Sequence, residues 1–288
     1  MDAELRRIEE SKDDNDKRSA IFAVFNESLR NSAPNSAAKA ASIVDGVLRV
    51  RASIEDTALE KEDFNWQFWQ LLVEFAEAAP PDHLWQQVLL EVVDDLRSRA
   101  RQNGDVDLIK GSLDDLTTII IDTWAGEPTG GYKGGDMLSE EEEEDLTRWM
   151  HLNSFIARLT NTIPQRELRW TNMCVYQVRK PLEQSLEEVD SKVVDCWLWI
   201  CTEWLLHAAR TLHKFVCCAD EDKVGPRPRD RISPTYSTGP LAKDLPDQSA
   251  ERWDFWITRL KAMSGRSEEL DQRLAEVTHS MENMRTVS

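Results

Sequence analysis

The chain has 288 residues, with 53 acidic against 35 basic side chains and a net charge of −18. Such an excess repels nucleic acid and anionic membrane surfaces, so neither is an expected partner. With only 11 Gly and 11 Pro, and many Leu, Ala, Glu, Arg and Gln, the composition favours helix over sheet.

Residues 1–18 are dense in mixed charge and read as a flexible arm or a frayed helix. From Ser19 onward Ile21, Phe22, Val24, Phe25 and Leu29 recur at helical spacing. A break around Pro34 separates this helix from a second one over 37–51. Over 60–79 the polar residues Gln67, Gln70, Glu74 and Glu77 form one narrow stripe on an otherwise apolar helix, which predicts burial on most sides. Pro80-Pro81 ends that helix, and the next carries Leu84, Trp85, Val88, Leu89, Val92, Val93 and Leu96. The short break between them predicts an antiparallel hairpin.

Leu113 to Trp124 is read as a helix despite the β-branched run Ile119–Ile121. The segment 130–135, GGYKGG, reads as a loop: no strand precedes it and no Lys-Ser/Thr follows it, so it is no phosphate-binding loop. Ser139 with Glu142 is a capping box, and the acids Glu140 to Asp145 sit at the positive end of the helix that follows to Asn161. A helix over 165–180 is expected to stop near Pro181. The stretch from Glu187 to Cys218 predicts the longest and most apolar helix, with Asp195, Thr202, Glu203 and His207 as its polar stripe. The Pro-rich stretch 219–245 reads as an irregular connection. Two helices, 249–263 and 267–284, close the chain. The expected fold is all-α: an irregular antiparallel array of about eight to ten helices around the long apolar helix, forming one domain over 19–288.

Three stretches carry a resemblance: FNWQFWQLLVEFAEAAPPDHLWQQVLLEVVDDL at 64–96, WMHLNSFIARLT at 149–160 and GPLAKDLPDQSAERWDFWITRL at 239–260. In this order and spacing the chain resembles an uncharacterised fungal family known as domain of unknown function 3632, over roughly residues 40–275. The second stretch matches that family's asparagine motif at Leu152, Asn153, Phe155, Ala157, Arg158 and Leu159, and Ala242 stands where the family usually has Trp after G-P-L. The resemblance implies a largely helical, intracellular fungal protein and carries over no catalytic residue. Association of such proteins with secondary-metabolite genes adds little to the reading.

The five cysteines, an odd number without framework spacing, read as reduced core thiols of a cytoplasmic protein. The N-terminus has no hydrophobic signal stretch, and Val193–Leu206 is too short and too polar to span a bilayer. The five histidines show no ligand spacing, so neither metal nor cofactor is expected.

Three constellations remain. Glu203, His207 and Arg210 fall four and three apart, on one face of a helix, where the carboxylate would orient the imidazole for acid–base work or simply close a structural polar pair. Trp149 and Asn153, with His151 and Arg158, offer an aromatic wall and an amide for a ligand carbonyl or an oxyanion, or the amide serves a neighbouring backbone. Trp253 and Trp256, beside Glu251 and Arg252, form an aromatic ridge that suits a ligand wall or the core. The 11 tryptophans, against 3 tyrosines, are clustered, with Trp204 in the most apolar segment. The leading expectation is a protein that binds an apolar small molecule in a Trp-lined cavity, with a cofactor-free isomerase or cyclase of fungal secondary metabolism as its narrower form. The alternative is a non-enzymatic interaction module with an acidic helical surface.

Overall fold

The structure is a computed structural model describing residues 2–10, 16–31, 35–54, 57–103, 112–128, 138–163, 170–217 and 237–285. The described residues form twelve α-helices and one 3-10 turn, an all-α fold. The loop over 130–135 and most of the Pro-rich stretch, 219–236, lie outside the described residues. No described helix is long and apolar enough to cross a membrane. The chain groups into two compact units, residues 1–127 and 128–288.

The first unit holds α1 (Asp2–Glu10), α2 (Asp16–Arg30), α3 (Ser36–Ala52), α4 (Ala58–Ala78), α5 (Leu84–Asn103) and α6 (Ser112–Ala125). Leu5 and Ile8 bury one side of α1. On α4 the stripe Gln67, Gln70, Glu74 and Glu77 is half-exposed and most of the remaining face is buried, as its narrow polar stripe predicts. Phe75 of α4 stacks on Phe25 and Phe22 of α2, with ring centroids 4.9 and 5.9 Å away. Gln86, fully buried, donates to the carbonyls of Ala76 and Ala79, so the corner after α4 is satisfied by a side chain. The expected hairpin is looser than the short break implies: α5 touches α4 at this corner and lies chiefly along α3. The β-branched run Ile119–Ile121 is helical, since Leu116, Ile119, Ile120 and Trp124 share the buried side of α6.

The second unit holds α7 (Glu140–Thr162), α8 (Thr171–Glu183), α9 (Ser191–His207), α10 (Ala209–Cys217), α11 (Ala250–Ala262) and α12 (Glu268–Arg285). The capping box forms as read: Ser139 accepts from the backbone of Glu142, whose carboxylate accepts from the backbone of Ser139. Two expected boundaries move. Pro181 lies inside the last turn of α8, which runs on to Glu183. The expected helix from Glu187 to Cys218 is two helices that break at Ala208, where φ is −122° and ψ 16°. No Gly or Pro marks the break; α10 turns off to seat Leu212 and Val216 against neighbouring helices, a tertiary cause.

Helix α9 packs against α7, α8 and α12. It runs in the same direction as α7, since Glu143 pairs with Lys192 near one end and Ser154 bonds Glu203 towards the other. It also runs with α12: Arg266 pairs with Asp195, and Arg273 with Glu203. The intervening helices carry the chain back, so this part of the array departs from the antiparallel arrangement expected.

Candidate functional site

Asp195, Trp199, Glu203 and His207 recur every four residues along one side of α9, which places them in a row. Glu203 is the centre of that row, and its side chain is 2% exposed. A carboxylate so buried needs partners. Ser154 Oγ of α7 donates to its Oε2 at 2.5 Å. Arg273 of α12 donates through Nη2 to its Oε1 and through Nε to Thr202 Oγ1 at 3.0 Å. Arg158 Nη2 stands 4.0 Å, and His207 Nε2 3.5 Å, from Oε2. The partners are less buried than the carboxylate: Arg158 is 21%, Arg273 20% and His207 33% exposed. Burial lowers the His207 pKa; Glu203 and Glu276 oppose this, and the charges of Arg158 and Arg273 add to it. A pKa below the ordinary value leaves the imidazole mainly neutral at pH 7.

Next to this cluster is a surface groove of about 270 Å³ between α7, α9 and the start of α12. Leu146, Met150, Cys196, Trp199 and Leu270 make its apolar lining, and Glu143, Lys192, Asp195 and Glu269 contribute charge. Trp199 joins groove and cluster, since the Arg273 guanidinium lies over its ring, 4.7 Å from the centroid. Among the described residues no three His, Cys, Asp or Glu side chains come together to hold a metal. Cys174 and Cys201 are fully buried thiols whose pKa burial pushes up, which makes them inert packing.

Glu203 and His207, expected to share a site, do come together, and Arg158, expected instead beside Trp149 and Asn153, stands near the same carboxylate. Arg210 does not: the break at Ala208 takes it off the face of Glu203 and leaves it exposed. Asn153 is fully buried, and its amide is spent within the core: Nδ2 donates to the Trp149 carbonyl at 2.9 Å, and Oδ1 accepts from Trp204 Nε1 at 3.1 Å. Trp149 and Trp204 are buried, and His151 is half-buried. Trp253 and Trp256 are also buried; Trp253 packs edge-on against His213. None of these four rings lines the groove.

The ridge of Trp253 and Trp256 belongs to a second buried carboxylate. Glu183, at the end of α8, is wholly buried. Arg252 clasps it through Nε at 2.7 Å and Nη2 at 3.1 Å, Trp256 Nε1 donates at 2.6 Å and the Gly239 backbone N–H at 2.6 Å. These four bonds fill the acceptor sites of the carboxylate. Arg252 also donates to the Asp247 carbonyl at 2.6 Å. A Cβ on residue 239 would meet the Glu183 backbone oxygen at 2.7 Å, so only glycine fits there.

The family model described as protein of unknown function, DUF3632, matches residues 69–260, two thirds of the chain. The chain belongs to that family. No curated protein and no solved structure matches it. The matched span is shorter than the stretch 40–275 over which the resemblance was expected, but it contains the asparagine motif and the G-P-L and E-R-W-x-F-W segment. Geometry gives these motifs their reason: Gly239, Arg252 and Trp256 converge on Glu183, and Asn153 holds Trp204. Sequence reasoning missed Glu183, Ser154 and Arg273. Ser154 stands beside Asn153 in the motif, a signal within reach; Arg273, on an exposed amphipathic helix, gives none.

Proposed function

We propose that this chain is a small-molecule-binding protein whose site is the groove between α7, α9 and α12. The observation that carries the reading is the groove itself: a cavity of about 270 Å³ with an apolar lining of Leu146, Met150, Cys196, Trp199 and Leu270 on a highly charged surface. Ligand sites have this build, an apolar concavity with a few polar groups. The ligand is small and apolar-bodied, and Trp199 is the ring it touches. The tryptophans first expected to wall a cavity pack the core instead, so the site differs in place, though not in kind, from the one anticipated.

Cytoplasmic residence suits the buried thiols. A cofactor-free isomerase or cyclase of fungal secondary metabolism is the narrower version of this reading. His207 and Glu203, 3.5 Å apart, would be its acid–base pair. Binding is the better-supported part, because Ser154 and Arg273 already hold the Glu203 carboxylate.

Isothermal titration with 1-octanol and 1-naphthol tests the proposal. Both are expected to bind the full chain and to lose binding in Trp199→Ala, with the fold intact by circular dichroism. No heat from either probe, or equal binding by Trp199→Ala, sinks it. One observation favours the interaction module as a second reading: Glu140, Glu141, Glu143 and Glu144 are exposed at the mouth of α7, and Glu143 lines the groove. That reading predicts salt-sensitive binding of a basic helical peptide and indifference to both alcohols.

A further inference from the structure

The apolar floor of the groove is edged by charges that do not balance. The lining holds three acids, Glu143, Asp195 and Glu269, against one base, Lys192. Glu143 is paired with Lys192, and Asp195 with Arg266, whose Nη2 also donates to the Ser191 carbonyl at 3.1 Å. Arg273 lies over the Trp199 ring but is paired with Glu203 and bonded to Thr202. Each of these cations is matched to an acid, and Glu269 is left over: it forms no ion pair and no hydrogen bond with a described residue.

The start of α12 does not need this carboxylate. Acids in a first turn ordinarily answer the open N–H groups and the helix dipole. Here Ser267 Oγ accepts from the Leu270 N–H at 3.2 Å, and Asp271 accepts from the backbone N–H of Gly265 at 2.9 Å and of Arg266 at 3.4 Å. Glu269 is exposed, and the residue after it, Leu270, is buried against the groove. An unmatched carboxylate at the rim of an apolar concavity is complementary to a cation that carries an apolar body.

We propose that the ligand of the groove is an apolar-bodied ammonium ion, its body on Leu146, Met150, Trp199 and Leu270 and its charge at Glu269. This rests on the groove reading above and adds the chemical class. A volume of about 270 Å³ is at the small end of the range for ligand sites, which keeps the body to a short chain or a single ring. Because Glu269 is exposed, its pull is that of a surface ion pair: it sorts ligands by charge, while apolar contact supplies most of the affinity. The net charge of −18 draws the same class of ligand towards the surface.

The test is isothermal titration of the full chain at pH 7 with octylammonium, 1-octanol and octanoate, equal in chain length and different in charge. Octylammonium is expected to bind about two- to fivefold more tightly than 1-octanol, the worth of one exposed ion pair, and octanoate more weakly than 1-octanol. Added NaCl should narrow the series. Glu269→Gln should bring octylammonium close to 1-octanol while leaving 1-octanol unchanged. Glu251→Gln removes an exposed acid that does not line the groove, so it should leave the series as it is and separates a local charge from the net charge. Octanoate binding as tightly as octylammonium, a preference that survives Glu269→Gln, or an equal loss in Glu251→Gln overturns the ammonium assignment and leaves the groove standing. Failure of all three probes to bind removes the groove reading and this inference with it.

Discussion

Glu183 and Glu203 are both buried carboxylates held by arginine, and they are built for different ends. Glu183 accepts four hydrogen bonds from Arg252, Trp256 and Gly239, and Arg252 itself is 1% exposed. Every acceptor is filled by the protein and no face is left for a ligand. Glu203 accepts from Ser154 and Arg273, with Arg158 and His207 nearby, and those basic partners reach solvent. Saturation marks the first as a clamp. Basic partners that reach solvent leave the second open to its surroundings. Buried polar groups alone do not identify a site; what their partners still have to offer does.

The largest expected effect separates the two directly. Glu183→Gln strands the Arg252 charge in the core, which costs about 3–5 kcal/mol when one partner of a buried pair is removed. Glu203→Gln takes the carboxylate from Arg273, which is partly exposed and can rehydrate, so its cost should be smaller by about 1–2 kcal/mol. Urea denaturation of both variants measures the gap. Equal losses would mean that the Glu203 centre is as much a clamp as the other.

Gly239→Ala comes next. The new methyl meets backbone as well as side-chain atoms of Glu183, so the turn over 237–242 must lift away and give up the N–H bond to the carboxylate. A loss of about 1–3 kcal/mol is expected from such overpacking, read as a lower melting temperature. An unchanged melting temperature would show that the turn is not part of the clamp.

What could be read from the sequence follows the range of the interactions. Local rules worked: the capping box at Ser139 and Glu142, the polar stripe of α4 and the helical spacing that joins Glu203 to His207 all lie within a few residues. The clamp was hidden because the partners of Glu183 come 56 to 73 residues later and because Pro181 signals a helix end that the fold overrides. Arg273, 70 residues after Glu203, is one more arginine on an exposed helix until the two helices meet. The tryptophans misled for a related reason. Clustered indoles suit a cavity wall or a filled core equally well, and only their burial and N–H partners separate the two, as Trp204 on Asn153 and Trp256 on Glu183 do here.

The smallest effect concerns pH. His207 has its pKa lowered from 6.5, mainly by burial, so the folded state resists a proton that the unfolded chain accepts. Stability from this group is therefore complete above pH 6.5 and is lost as the pH falls from there through the lower folded value. His83 and His213 are lowered for the same first cause and act in the same direction. Urea midpoints at pH 7.5 and pH 5.5 should fall on acidification, and His207→Gln should reduce the fall without abolishing it. A wild type that gains stability in acid would mean that imidazolium pairs with Glu203 against the field of Arg158 and Arg273. The carboxylate would then have room for a further charged partner, and the contrast with the saturated Glu183 would be wider still.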